Sequence, residues 1–185
     1  MGPPGKLPLR VATAPGWTDE DLCDRFLPDV LRWCSRLGGP YIDPEDAAQE
    51  VMITVLRRAH TVTDPERLPA WVFGVTRRTL AWQRRKSLWR RFVGGALPER
   101  ADLSPGPGDS FAARVDIATV RALLEALGEE LREVVVLADL EGRTDEEVAA
   151  LLDLPVGTAK SRLRRARARL AQLAVVRGLA MEGEP

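Results

Sequence analysis

The sequence is poor in the side chains that metal sites and nucleophilic enzymes use for chemistry. It has one histidine, His60, and two cysteines, Cys23 and Cys34. These are too few and too poorly spaced for a zinc site or a Cys/His nucleophile pair, so we expect no metal and no cofactor. The cysteines lie about three helical turns apart. We predict that they face one side of a helix as buried, reduced thiols.

Long apolar runs are also missing. The longest unbroken aliphatic run is Val134–Ala138, far short of the ~20 residues that a membrane span requires. Residues 1–16 have Gly and Pro where a secretory signal needs an apolar stretch. We therefore expect no membrane span and a cytoplasmic location. Hydrophobic residues make up 45% of the chain but aromatic residues only 5%, which is typical of helices packed through Leu, Val and Ala.

Charge is sorted into blocks along the chain, although the formal net charge is zero. Residues 19–50 hold nine acids and three arginines, whereas residues 67–98 hold eight bases and no acid. The pattern then repeats, with ten acids and two arginines in residues 125–153 and seven bases without an acid in residues 160–177. Clustered Lys and Arg favour a polyanion through counterion release. The repetition predicts two surfaces that bind nucleic acid, although any one run also fits a solvated helix face.

Gly and Pro punctuate residues 94–110 and disfavour both helix and strand there. We therefore predict an all-α fold of two small helical domains joined by a flexible linker. The first domain would comprise residues 17–93 and the second residues 111–178, with disordered ends at 1–16 and 179–185.

The first domain contains a helix that Asp43 and Pro44 open. Its apolar residues recur at three- and four-residue steps on one side. Its opposite side is an acid and amide stripe, here called the acidic stripe, formed by Asp46, Gln49, Glu50, Ile53 and Arg57. Such a stripe fits either plain solvated surface or a polar docking surface.

A second helix is predicted from about Ala70 to Phe92 after a loop with two prolines. It carries Trp71, Trp82 and Trp89, whose spacing is typical of a bundle core. The last two lie among seven bases, namely Arg77, Arg78, Arg84, Arg85, Lys86, Arg90 and Arg91. Single-stranded bases stack on aromatic rings while cations follow the phosphates. Trp82 is therefore either core or a nucleic-acid contact.

The second domain carries the pattern of a helix-turn-helix. Thr144 and Glu147 form a capping box at the start of a short helix, which stops near Pro155. The next helix should bury Val156, Ala159, Leu163, Ala166, Leu170 and Leu173. The opposite side would offer DNA small polar groups and arginines, the types that read base edges in the major groove. The alternative is a basic coiled-coil or membrane-surface helix.

Three segments together resemble the bacterial extracytoplasmic-function sigma factors of the sigma-70 family, which keep only regions 2 and 4. They are DPEDAAQEV at 43–51, WVFGVTRR at 71–78 and LPVGTAKSRL at 154–163. The likeness covers about residues 20–92 and 111–174. It implies binding to core RNA polymerase, through its β′ clamp helices and β flap, and to promoter DNA.

The resemblance also implies three sets of contact residues. Core polymerase would be bound by Asp46, Gln49, Glu50 and Arg57. The minus 10 element would be opened and held by Thr63, Arg77, Arg78, Trp82, Arg84 and Arg85, with a flipped base in the loop at 61–68. The minus 35 duplex would be bound by Thr158, Lys160, Ser161, Arg162, Arg164 and Arg165.

The sequence departs from the family at Arg78 and Trp82, where Asn and Asp are common. No third large domain follows Leu173, which implies control by a separate anti-sigma protein. We expect no enzymatic activity and no small-molecule substrate, because a DNA-processing enzyme would need carboxylates or an activated nucleophile beside its basic helix. The other candidate is a stand-alone helix-turn-helix regulator. Its first domain would need an exposed apolar face to dimerise, which the acidic stripe does not offer.

Overall fold

The computed structural model describes residues 17–94 and 119–177, and these residues form helices with no strand among them. This confirms the all-α prediction. The predicted ends at 1–16 and 179–185 and nearly all of the predicted linker lie outside the described residues. The first half contains α1 (Asp19–Leu37), α2 (Pro44–Arg58) and α3 (Leu68–Gly94), with short 3₁₀ turns at Ala59–Thr61 and Pro65–Arg67 between α2 and α3.

Side-chain caps fix where the first two helices begin. The Thr18 hydroxyl accepts from the Asp21 backbone N–H at 3.1 Å, and the Asp21 carboxylate accepts from the Thr18 N–H at 2.8 Å, so α1 starts with a full capping box. At α2, Asp43 Oδ1 accepts from the N–H groups of Glu45 and Asp46. Pro44 follows as the first helical residue, where its missing N–H has no cost.

The three helices of the first half pack around an apolar centre. Trp33 of α1 and Phe73 of α3 are almost fully buried and meet edge to face, with ring centroids 4.8 Å apart. From α2, the residues predicted to face inward are buried or half-buried. This packing fixes the rotation of α2 and therefore turns the acidic stripe outward.

The second half consists of a helical segment at residues 119–125 (α4), α5 (Glu129–Val135), α6 (Asp145–Leu152) and α7 (Val156–Val176). A π-helical turn at Val136–Leu140 continues α5. The buried guanidinium of Arg132 ties α4 to α5, because it donates to the carbonyls of Leu124 and Leu127 and pairs with Glu125 at 2.9 Å. Burial lowers the pKa of Arg132, since it penalises the charged form.

The two halves share one continuous hydrophobic core. Leu37 and Leu80 of the first half belong to the same buried cluster as Leu127 and Val134 of the second half. Helix α3 contacts α6 as well as α1 and α2. The second half is therefore docked against the first through α3.

Both cysteines are free thiols that pack on the core, as predicted, but the predicted burial is complete for only one of them. Cys34 is buried in the core, whereas Cys23 is only half-buried. Burial raises the pKa of the Cys34 thiol to about 12. The pKa of Cys23 is also raised, by desolvation and then by Asp19 and Asp24.

Replacing Phe73 with Ala should lower the free energy of unfolding by about 3 to 5 kcal/mol, because it leaves a cavity beside Trp33. The measurement is urea denaturation followed by circular dichroism. Leu88→Ala on the same helix is the control, since Leu88 is largely exposed and its loss should change stability by less than about 0.5 kcal/mol. Equal losses for the two variants would contradict the assignment of Phe73 to the core.

Alkylation of the native chain at pH 8 should modify Cys23 and leave Cys34 intact, because a thiol with so high a pKa holds almost no thiolate and is also shielded. Mass spectrometry of tryptic peptides reports each site. Unfolding in urea should expose both. Modification of Cys34 at the rate of Cys23 in the native chain would show that the core opens there.

Candidate nucleic-acid and polymerase surfaces

The acidic stripe lies on the outer face of α2, as predicted. Its five residues are all exposed, and Ile53 in its middle retains 49% of its accessible surface. Glu50 is held in place by an amide, since Gln83 Nε2 of α3 donates to Glu50 Oε2 at 2.8 Å. The stripe is therefore a preformed polar surface with one aliphatic contact at its centre.

Two grooves flank Trp71, which lines both of them. The first has a volume of about 650 Å³ and lies between α2 and α3. Its cations and aromatic rings are Arg57, Arg58, His60, Arg78, Trp71 and Trp82. Cations beside exposed rings suit a single strand of nucleic acid, because phosphates and base faces are bound at once.

The second groove lies beside the loop that follows α2 and has a volume of about 560 Å³. The loop supplies Thr61, Val62, Thr63, Asp64 and Arg67. Asp64 shapes this loop, since its carboxylate accepts from the Glu66 N–H at 3.0 Å. The opposite wall comes from the end of α6 in the second half, at residues 151–153.

The predicted minus 10 residues separate into two groups. Thr63, Arg77 and Arg78 line the second groove, and Arg78 and Trp82 line the first, so these four are brought together. Trp82 is 46% exposed and carries the Lys86 ammonium 4.6 Å from its ring centroid. Its exposure excludes a core position for Trp82, because a core tryptophan would be covered.

Arg84 and Arg85 lie outside both grooves. Arg84 Nε donates to the carbonyl of Gly38, at the end of α1, at 3.3 Å, and its Nη1 lies 4.0 Å from Glu129 of the second half. Arg85 is exposed on α3. The sequence did not lead us to expect Arg58 or Trp71 as lining residues of a groove. The two adjacent arginines at the end of α2 could have indicated Arg58.

The helix-turn-helix forms as predicted. Thr144 and Glu147 make the capping box of α6, with the Thr144 N–H donating to Glu147 at 2.8 Å. The turn passes through Asp153, whose φ of 53° is left-handed, a conformation that Asp and Asn tolerate better than most residues. Helix α7 buries Ala159, Leu163 and Ala166. Val156 was expected to be buried but is 36% exposed, because it lies in the first turn of α7.

The predicted minus 35 residues differ in how they are held. Arg164 and Arg165 are exposed and have no ion pair in the described part of the chain. Lys160 is exposed but its Nζ lies 3.7 Å from Asp145. Thr158 and Ser161 are half-buried, and the Ser161 hydroxyl donates to the Thr158 carbonyl. Arg162 is turned toward α5, where its Nη2 lies 2.9 Å from Glu130 and its side chain keeps 17% of its surface.

Neither a membrane helix nor a metal cluster is evident in the described ranges. No helix there is long and apolar enough to cross a bilayer. The His, Cys, Asp and Glu side chains of residues 17–94 and 119–177 do not gather into a group of three or more that could hold a metal ion.

Comparison with known proteins covers both halves. The family profile for Sigma-70 region 2 matches residues 22–91, and that for Sigma-70, region 4 matches residues 117–170. The chain is 33% identical over 164 residues to the ECF RNA polymerase sigma factor SigE of Mycolicibacterium smegmatis, with 86% of this chain and 62% of SigE covered. The chain belongs to the extracytoplasmic-function sigma factors.

Another relative of this sigma factor matches over nearly its whole length. The ECF RNA polymerase sigma factor ShbA of Streptomyces griseus is 32% identical over 182 residues, which is 92% of this chain and 94% of ShbA. The presence of region 2 beside region 4 favours a sigma factor over a stand-alone helix-turn-helix regulator. This chain therefore directs transcription initiation. Its homologues are not catalytic enzymes.

Solved structures of sigma factors have the same fold. The sigma factor RpoE of Bartonella quintana, in complex with the anti-sigma factor NepR, superposes with a TM-score of 0.63 at 26% identity, covering 85% of this chain and 96% of RpoE. CnrH, in complex with the cytosolic domain of CnrY, superposes with a TM-score of 0.59 at 26% identity, covering 85% of this chain and 88% of CnrH.

Proposed function

We propose that this sigma factor binds core RNA polymerase through α2 and grips promoter DNA at two places by two different mechanisms. The observation that carries the proposal is the presence, in one chain, of two distinct surfaces that expose cations. One is a pair of grooves lined by aromatic rings and cations beside α3. The other is a helix-turn-helix whose second helix exposes Arg164 and Arg165. Grooves suit separated strands and a recognition helix suits the duplex.

At the minus 10 element, a base of the melted strand would enter the second groove beside Thr63. Extruding a base costs a few kcal/mol, so a preformed pocket favours sequences whose base it fits. Arg77 and Arg78 would bind the phosphates, and Trp82 offers an exposed ring for stacking. Arg84 and Arg85 would extend the cationic track along α3. Because Arg78 and Trp82 replace the usual Asn and Asp of the family, this track is more basic than expected for the family.

At the minus 35 element, α7 would lie in the major groove of the duplex. Arg164 and Arg165 are the residues best placed to reach base edges, since no acid in the described residues neutralises them. Lys160 would leave Asp145 for a phosphate, and Thr158 and Ser161 would contact the backbone near the helix start. Arg162 would act from the flank, where Glu130 now holds it.

Polymerase docking is assigned to the acidic stripe. Asp46, Gln49 and Glu50 offer carboxylate and amide oxygens to a basic, helical partner such as the β′ clamp helices, and Arg57 offers a cation at the far end. Ile53 would supply the apolar contact at the centre. The second half would reach the β flap. Charge complementarity of this kind sets specificity and association rate more than affinity.

The remaining properties follow from this role. The protein would act in the cytoplasm. It would form no covalent intermediate and turn over no small molecule, because its proposed activity is binding to melted DNA and not a chemical reaction. A separate anti-sigma protein would control it. The two solved sigma factors bound to CnrY and NepR support that partner class. Transcription with purified core polymerase on a promoter library tests the whole proposal, and failure to select any start site would refute it.

Gln49→Ala combined with Glu50→Arg should abolish co-purification with core polymerase, because it removes an amide from the acidic stripe and reverses the charge at Glu50. The fold should survive, since both side chains are exposed. Circular dichroism checks the fold and affinity pull-down checks binding. Glu20→Arg, an exposed acid of α1, is the matched control and should bind normally. Normal binding by the double variant would remove the docking assignment.

Arg165→Ala should weaken binding to minus 35 duplex by about 1 to 3 kcal/mol in a sequence-dependent manner. Arg169→Ala is the control on the same helix, because Arg169 is also exposed and contacts only Gln172 among the described residues. Fluorescence anisotropy with cognate and scrambled duplexes measures both variants. Equal losses on the two duplexes would make Arg165 a phosphate contact instead of a base reader.

A further inference from the structure

The last turns of α3 carry two exposed aromatic rings that lie outside both grooves. Trp89 keeps 68% of its accessible surface and Phe92 keeps 87%, and neither residue lines a groove. We propose that these rings bind unpaired bases next to the minus 10 element, so that the single strand follows α3 beyond Trp82. The inference rests on the proposed function, because it extends the same single-strand surface.

The two rings continue an aromatic face that begins in the first groove. Trp71 and Trp82 line that groove, and Trp89 follows at a spacing of about two further helical turns. The three tryptophans therefore share one face of α3, and Phe92 lies beside it one turn later. No break in the helix separates the groove from the exposed rings, since α3 runs without interruption from Leu68 to Gly94.

Cations share this face with the rings. The Lys86 ammonium lies 4.6 Å from the ring centroid of Trp82, and Arg85 beside it is exposed. Neither cation has an ion pair with an acid of the described residues, and no acid occurs anywhere in residues 67–98. Cations interleaved with rings suit a single strand, because phosphates and base faces are bound along the same path.

The distances along the helix fit a short stretch of nucleic acid. At a rise of about 1.5 Å per residue, Trp89 lies about 10 Å beyond Trp82 along the axis, and Phe92 about 5 Å beyond Trp89. A stacked strand advances about 3.4 Å per nucleotide. The stretch from Trp82 to Phe92 therefore accommodates up to about four nucleotides that the grooves do not hold.

The distribution of charge disfavours a lipid surface as the occupant. A helix that lies on a membrane separates its apolar face from its charged face. Here Arg85 and Lys86 both lie within about 60° of Trp82 and of Trp89 around the helix axis. The charges and the rings are thus on the same side of α3.

A second copy of the chain is disfavoured for an electrostatic reason. A symmetric dimer would place this face against itself. Arg85 and Lys86 would then face the same cations of the other copy, without an acid on α3 to neutralise them. A polyanion with flat bases is the occupant that matches both the charge and the rings.

The test uses the full-length chain assembled with core polymerase and fluorescent single strands. One oligonucleotide carries the minus 10 element alone, and two others add four thymidines at its 5′ or its 3′ end. Trp89→Leu combined with Phe92→Leu removes both rings but keeps apolar side chains, and is called the leucine variant. Trp89→Phe combined with Phe92→Tyr keeps a ring at each position. Both positions are exposed, so both variants should fold, which circular dichroism checks.

For the unmodified chain, thymidines at one end only should raise the affinity by about fivefold or more, the low end of what one stacked base contributes. The leucine variant should lose this gain, whereas the variant with two rings should keep most of it. Both should bind the minus 10 element alone as the unmodified chain does. Leu27→Ala, which removes an exposed apolar side chain from α1, is the matched control and should retain the full gain.

Three results would overturn the inference. The first is no gain from thymidines at either end with the unmodified chain. The second is an equal gain in the leucine variant, which would place the added nucleotides elsewhere. The third is unchanged DNA binding by the leucine variant together with loss of a dimer in analytical ultracentrifugation, or loss of binding to phosphatidylglycerol vesicles. Failure of the proposed function differs from these, because the unmodified assembly would then bind the minus 10 element no better than a scrambled strand.

Discussion

Burial of one face of α3 is the constraint on which the rest of the structure depends. Val72, Phe73 and Leu80 pack into the core against α1 and α2, and this fixes the rotation of a helix about 40 Å long. The helical period then sets the direction in which the described cations and aromatic rings on the remaining faces point. Arg78 and Trp82 line the grooves, Arg84 is turned toward Glu129 of the second half, and Arg77 both lines the second groove and pairs with Glu133. The groove-lining face of α3 and the face that contacts the second half therefore overlap at Arg77.

The formal net charge is zero, but positive and negative charges are concentrated in different segments of the chain. The acid-free helices α3 and α7 supply cations, and the acid-rich segments supply their partners within the chain. Glu133 meets Arg77, Glu130 meets Arg162, and Asp145 meets Lys160. A polyanion that binds these cations must first displace the paired acids. Arg164, Arg165 and Arg169 remain as the cations of α7 that no described acid engages.

The sequence predicted local features well because their causes are local. Capping at Thr144 and Asp43, the outward stripe of α2 and the helix-turn-helix all follow from spacings of three and four residues. Its errors occur where neighbours distant in sequence decide burial. Val156 has the right spacing but lies at a helix end, and Cys23 lies on the correct helix but at the margin of its buried face. Neither outcome is encoded in the periodicity alone.

The sequence by itself determined the fold class, the presence of two sigma-factor regions in one chain and the types of residue that each helix carries. Only the tertiary structure decided what those residues face. The Arg77–Glu133 and Trp33–Glu141 contacts join residues 56 and 108 positions apart, and no helical period relates positions so distant. The shared core brings them together because apolar faces of both halves are buried in one cluster, so the partner of each buried charge is set by packing.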